Sequence, residues 1–274
     1  MEISIKNINA QHLQLFIKKL LSIDKFIFIK INDKAISSAV YLPQRDAVKL
    51  VAIKVSDIFE VDSLPDSTIK LAFFNGNRVI DALGYFDAKE PIQGIIKYKK
   101  IGDEYFASDF VVFNKKITIN LPCVDPALSF MDMSKDEIKR AFSTENAQFE
   151  FSLSPKNIDD ISSFFKLDRD YDRFKFVVDS GTLKVKGENY ESSVIDGVDI
   201  KDGNITSVTM YKKYLSLFDK ENYSITVCSN KLFLKSKDSN TLMSVALCIG
   251  DDNDTPVQHE DDIRIEEEMD MPDL

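Results

Sequence analysis

Four kinds of side chain in this sequence are able to do chemistry: paired carboxylates, histidines, cysteines, and basic residues set on helical faces. Asp159-Asp160 and Asp251-Asp252 are acid pairs of the sort that share a cation. No further acid or histidine joins them at ligand spacing, so they read as solvated faces. His12 follows Gln11 and His259 lies among acids, where surface or capping roles suit an imidazole better than proton transfer. Cys123, Cys228 and Cys248 stand singly, without a CxxC pair or a nearby histidine, and are expected to be buried thiols. The turn Phe74-Asn75-Gly76-Asn77 has one glycine and no GK[ST] ending, so it makes no phosphate loop. An enzyme is not expected, nor a cofactor, nor a metal. What remains is basic: Lys18, Lys19, Arg78, Lys156 and Lys166 fall away from the apolar sides of their three helices, and Lys212 and Lys213 sit in a fourth, short helical stretch. Charge sorted onto one face suits an anionic partner.

The formal net charge of -10 opposes such a partner until its location is considered. Residues 251–274 hold eleven of the 45 acids (Asp251, Asp252, Asp254, Glu260, Asp261, Asp262, Glu266, Glu267, Glu268, Asp270 and Asp273) and one base, Arg264. The first 250 residues therefore carry 34 acids and 34 bases, a neutral body in which faces can differ. The acidic segment has too few apolar residues to offset chain entropy and is expected to be a tail.

The elements that position the basic residues follow from periodicity. Residues 9–22 open at Asn9, a suitable N-cap, and set Leu13, Phe16, Ile17, Leu20 and Leu21 at helical spacing. Gln11, Leu15, Lys18, Lys19 and Ser22 share the opposite face. Strands are predicted at 26–31, 35–41 and 48–55, joined by turns too short for crossovers, so they form an antiparallel meander. Residues 56–66 read as turns, 69–74 as a strand, and 75–86 as a helix with Val79, Ile80, Leu83 and Phe86 inside. Strands at 95–101, 106–113 and 116–121 precede a proline-broken connector, in which Ser134 and Glu137 predict a capping box. The domain boundary falls between 125 and 147.

The second half repeats the programme. Phe149-Glu150-Phe151-Ser152-Leu153 runs into a helix with Ser154 as N-cap and Pro155 in its first turn, burying Ile158, Ile161 and Phe165. Strands follow at 173–178, 182–186, 193–200 and 205–210, then a short helix over 211–218, then strands at 223–228, 231–235 and 242–249. The fold class is thus α+β: two repeated domains, each of antiparallel sheets with two short helices, at 1–140 (with the connector) and 147–250, followed by the tail 251–274. The length suits two cores. No stretch is long and apolar enough to span a bilayer. The first six residues read as a strand rather than a signal peptide, which predicts residence in the compartment of synthesis, the host cytoplasm for a viral protein.

This order of strand, helix, strands, strand, helix, strands resembles the DNA sliding clamps, the processivity factors of replication. The likeness is to the two-domain clamps of tailed bacteriophages, related in fold to proliferating cell nuclear antigen. The best-matching stretches are 149–167, 174–186 and 207–249, and the acidic tail departs from the pattern. The resemblance implies a DNA clamp fold and a homotrimeric ring of six domains, with edge strands paired between subunits. It implies helices facing double-stranded DNA through Lys18, Lys19, Arg78, Lys156, Lys166, Lys212 and Lys213, held without base readout. A DNA polymerase and an ATP-driven clamp loader would be partners, docking near 124–142 and beside the C-terminal strands. Two other readings are a monomeric DNA-binding processivity factor and a viral scaffold or interaction protein.

Overall fold

The computed structural model describes residues 1–62, 64–65, 67–87, 90–125, 132–166, 171–188, 191–196 (backbone only at 193–196), 198–200 and 205–248. The tail reading, and the part of the connector at 126–131, lie outside the described residues.

The first half runs β1 (Glu2–Lys6), α1 (Ala10–Leu21), β2 (Ile27–Ile31), β3 (Ala35–Tyr41), β4 (Ala47–Lys54), α2 (Val55–Ile58), β5 (Glu60–Val61), β6 (Ile69–Phe73), α3 (Gly76–Gly84), β7 (Gln93–Ile101), β8 (Glu104–Phe113) and β9 (Thr118–Pro122). After α4 (Lys135–Phe142) come β10 (Ala147–Leu153), α5 (Pro155–Phe164), β11 (Arg173–Asp179), β12 (Thr182–Lys186), β13 (Glu191–Asp196), β14 (Asp199–Ile200) and β15 (Ser207–Tyr211). A 3₁₀ helix (Lys212–Leu217) then leads to β16 (Tyr223–Cys228), β17 (Lys231–Ser236) and β18 (Asn240–Ala246).

Pairing follows one rule in both halves. β1 pairs with β5 and β7, β2 with β3 and β6, β3 with β4, and β8 with β7 and β9. Correspondingly, β10 pairs with β14 and β16, β11 with β12 and β15, β12 with β13, and β17 with β16 and β18. The halves then join: β18 lies antiparallel to β4, with Asn240 opposite Ala52 and Val245 opposite Ala47. The result is a 14-stranded sheet through both halves, with β13-β12-β11-β15 as a separate four-stranded sheet. Alternation along the strands feeds the core, as in β11, where Phe174, Phe176 and Val178 are buried while Lys175 and Val177 between them are half-buried. The main core is one apolar cluster spanning both halves, from Ile3 to Leu247, and Phe28, Ala72 and Val124 form a second, small one.

The mixed α+β class is as expected, and five details differ from the sequence reading, one being that the run read as a single strand over 193–200 divides into β13 and β14, which belong to different sheets. The meander is antiparallel, but β6 and β8 pair parallel, at Ile69–Tyr105 and Lys70–Phe106. The span read as turns contains α2 and β5, elements too short to show a period. The helix over 211–218 is a 3₁₀ turn. Of the three thiols only Cys228 is buried; Cys123 and Cys248 are half-buried. No helix among the described residues is long and apolar enough to cross a membrane.

Candidate nucleic-acid interface

Helix α1 starts where its sequence requires: the Asn9 side chain accepts from the His12 amide, and Leu13, Phe16, Ile17 and Leu20 are buried. His12 itself contacts the Asp57 carbonyl through Nδ1 at 2.9 Å, a local role consistent with its exposed position. Asn75 caps α3 in the same manner, accepting from Asn77. α3 approaches α1 closely because its first residue is Gly76, where a Cβ would lie 3.0 Å from Leu21 Cδ2 and 3.1 Å from Ile27 Cδ1. Gln14 of α1 fixes the pair by donating to the Ile80 carbonyl at 3.0 Å. In the second half, a capping box between Ser154 and Asn157 starts α5, with Pro155 in its first turn.

These helices make a continuous belt. α1 reaches the second half through two polar links. Lys49 of β4 is 0 % exposed, and its ammonium donates to Ser22 Oγ at 3.0 Å and to the Leu217 carbonyl at 2.9 Å while pairing with Asp219 at 2.9 Å. Two hydrogen-bond acceptors and one counter-charge thus surround the ammonium. Burial nonetheless lowers the Lys49 pKa, with Asp219 opposing the shift. The second link is Lys19, which pairs with Glu221 and donates to Ser239 at 2.8 Å and Thr241 at 3.2 Å. Burial alone would raise the Glu221 pKa; hydrogen bonds from Lys19, Ser236 and Ser239 outweigh it and hold the carboxyl below its ordinary range. The 3₁₀ helix then meets α5, with Lys212 Nζ 5.2 Å from the Phe165 ring centroid and Lys220 paired to Asp159 at 3.1 Å.

Along this belt the proposed basic residues have different positions. Lys18, Arg78, Lys156 and Lys166 are exposed. Lys213 is exposed as well, with its ammonium 3.3 Å from Asp46 and 4.8 Å from the Tyr214 ring centroid. Lys212 is half-buried against Phe165. Lys19 is turned into the junction, its charge matched by Glu221. Two exposed lysines were not singled out from the sequence. Lys25 precedes β2 and its carbonyl accepts from the Gly76 amide at 2.8 Å, and Lys220 leaves the 3₁₀ helix. Both sit in turns, where helical periodicity is silent. Acids share the belt: Asp81, Asp159 and Asp160 are exposed. The exposed charge on these helices is therefore mixed in sign, with bases and acids both represented.

Other chemistry is sparse. No group of three or more His, Cys, Asp or Glu among the described residues is placed to hold a metal. Burial pushes the Cys123 thiol up to about 12, which leaves it protonated and unreactive at neutral pH.

No protein-family model matches the sequence, and no curated protein matches it. Solved structures do match in fold. The chain superposes on A. fulgidus PCNA, solved bound to the C-terminal region of FEN-1, with a TM-score of 0.62 and 13% identity over 92% of this chain and 100% of that one. Proliferating cellular nuclear antigen from Entamoeba histolytica gives 0.61 and 16% identity over 89% of this chain and 97% of that one. The H. pylori beta clamp gives 0.61 and 14% identity over 93% of this chain and 65% of that one. The fold is that of the sliding clamps.

Proposed function

We propose that this chain is a DNA sliding clamp that closes head to tail into a homotrimeric ring around double-stranded DNA and tethers a replicative polymerase. The observation that carries the reading is the internal repeat together with the edges it leaves. β18 and β4 pair within the chain, and their counterparts under the repeat are β9 and β13. Among the described residues β9 pairs only with β8, and β13 only with β12. Joining β9 of one copy to β13 of the next would reproduce between chains the junction already made within one, and repetition closes a ring in which neither of these two edges is left bare. Backbone geometry favours this. Cys123 donates to the Ser108 carbonyl at 2.9 Å, so ladder alternation points the N–H and C=O groups of Thr118 and Asn120 away from β8, toward the open edge.

In this reading Lys18, Arg78, Lys156, Lys166, Lys212 and Lys213, with Lys25 and Lys220, face the phosphates, while Lys19 serves the junction. Retention on DNA is topological and needs no catalytic residue, cofactor or base contact. The tethered polymerase gains effective concentration at the primer end. The domains are the two halves, 1–140 and 147–250, and opening requires a separate clamp-loader ATPase. The bacteriophage type of clamp, with two domains per chain, fits this plan.

The test is a threading experiment. The protein is mixed with linear duplex, the DNA is ligated into a circle, and the complex is washed at high salt. A ring stays on the circle and is released by a single restriction cut. A protein holding DNA by charge alone is lost from circle and line alike, since a site with several phosphate contacts weakens by orders of magnitude over such a salt change. That second result would reject the clamp.

A further inference from the structure

The two halves correspond residue by residue at their closing strands. The Val124 amide donates to the Ala72 carbonyl at 2.8 Å, and the Cys248 amide donates to the Thr209 carbonyl at 2.9 Å. One residue earlier, Cys123 donates to Ser108 and Leu247 donates to Asn230, both at 2.9 Å. The ladders agree, since Asp109 lies opposite Pro122 as Lys231 lies opposite Ala246. Thr118 therefore corresponds to Leu242, and Ile117 to Thr241. The other edge can be traced from the same anchor. Phe73, after Ala72, lies opposite Ile27, and Met210, after Thr209, lies opposite Phe174. Four residues on, Ile31 leads across Ile36 to Ile53, and Val178 leads across Leu183 to Ile195. β13 then skips one residue, after which Lys186 lies opposite Glu191 as Ala39 lies opposite Leu50. Glu191 therefore corresponds to Leu50, and Ser192 to Val51.

Within the chain, Leu242 lies opposite Leu50 and Thr241 opposite Val51. We propose that two copies join in this same register, with Thr118 of one opposite Glu191 of the next and Ile117 opposite Ser192. The faces of the two strands agree with it. Thr118 and Glu191 are exposed, while Ile117 and Ser192 are half-buried, so like sides of the two sheets align. A slip of one residue would carry the Glu191 carboxylate to the side of Ile117 and Ile119. Charge agrees as well, because Lys116, two residues before Thr118, falls diagonal to Glu191 and within reach of it. In the single chain Lys116 pairs with Glu90 at 2.6 Å, and Glu191 pairs with Lys186 at 2.9 Å and Lys184 at 3.2 Å. The joined edges thus alternate in sign. Such exposed contacts select the register more than they strengthen it. The new ladder also lacks one bond of its internal counterpart. Ala246 donates to the Asp46 carbonyl at 2.7 Å, and Pro122, which stands in its place, has no N–H to donate.

This inference rests on the proposed ring and adds the register of its joints, and the two can fail separately. The test is the full chain carrying Thr118→Cys and Glu191→Cys, mildly oxidised, run on a non-reducing gel and mapped by mass spectrometry, with the unaltered chain as control. Opposite residues of an antiparallel ladder have Cα atoms about 5.5 Å apart, within disulfide reach, whereas an offset of two residues opens roughly 7–8 Å. Covalent species of two and three chains joined through positions 118 and 191 are expected. Their yield should exceed by about tenfold that from Lys116→Cys or Asn120→Cys combined with Glu191→Cys. The adjacent pair, Ile117→Cys with Ser192→Cys, should also cross-link. Preferential bonding of an offset pair, or no bonding of any pair in a protein that light scattering shows to be a trimer, would overturn the register and leave the ring. A protein that stays a single chain and forms no bond between chains would overturn both.

Discussion

The junction inside the chain and the edges left outside it are built from corresponding strands, yet they are secured differently. Where β18 meets β4, the ladder is backed by a fully buried ammonium, Lys49, and by the Lys19–Glu221 pair with Ser236, Ser239 and Thr241 around it. At the open edge, β9 offers main-chain groups and the exposed side chains of Thr118, Asn120 and Pro122. The internal junction is committed by charges that cannot be left unpaired out of water. In the proposed ring the outer junction would be held at the strength of a sheet edge alone, which would let it be made and unmade.

The sharpest way to break that contrast is at Asp219. Asp219→Ala leaves Lys49 buried without its counter-charge and should cost about 3–5 kcal/mol in urea denaturation. Lys49→Met in the same chain should recover most of that loss, since a thioether of similar length needs no partner. A loss below 1 kcal/mol for Asp219→Ala would show that the junction does not depend on the buried pair.

The complementary change is Asn120→Pro at the outer edge. It removes the central outward donor of β9. Association between chains should be lost, while the single chain is destabilised far less than by Asp219→Ala. Sedimentation and denaturation on the same sample separate the two effects, and a variant that still assembles would exclude β9 from the interface.

Acid should loosen the internal junction. The Glu221 pKa is depressed in the folded state, so its stabilisation is present above the unfolded value of about 4.3 and is lost as pH falls through the lower folded value. The melting temperature of the wild type should therefore fall more steeply than that of Glu221→Gln as pH drops below about 4.3. Parallel curves would mean that the pair adds nothing to folding.

The smallest effect concerns the helix face. Lys166→Gln and Lys156→Gln should each reduce the slope of log affinity against log salt by about one for linear duplex. Lys19→Gln should leave the slope unchanged, because its ammonium already belongs to Glu221. An equal loss for Lys19 would put that side chain on the DNA face after all.

Sequence periodicity found what local rules govern. Asn9, Ser154, Pro155 and the Ser134–Glu137 box mark helix starts that the structure keeps, and β3, β12 and β16 begin and end where β-rich runs predict. It could not find contacts between residues far apart in the chain. Lys19 was assigned to the solvated face by its angle on α1, but its partner lies 202 residues away. Lys49 read as an ordinary strand residue because nothing near it in sequence shows that Leu217 and Asp219 will enclose it. The parallel β6–β8 pair and the β18–β4 junction are invisible for the same reason, since a strand's own pattern does not name its neighbour.

The mass of the protein in solution, measured by light scattering across a dilution series, tests the proposed ring most directly. The ring predicts a species of about three times the 31.2 kDa chain, reduced to a single chain by Asn120→Pro. A mass that stays at 31.2 kDa at every concentration would contradict the self-assembled ring.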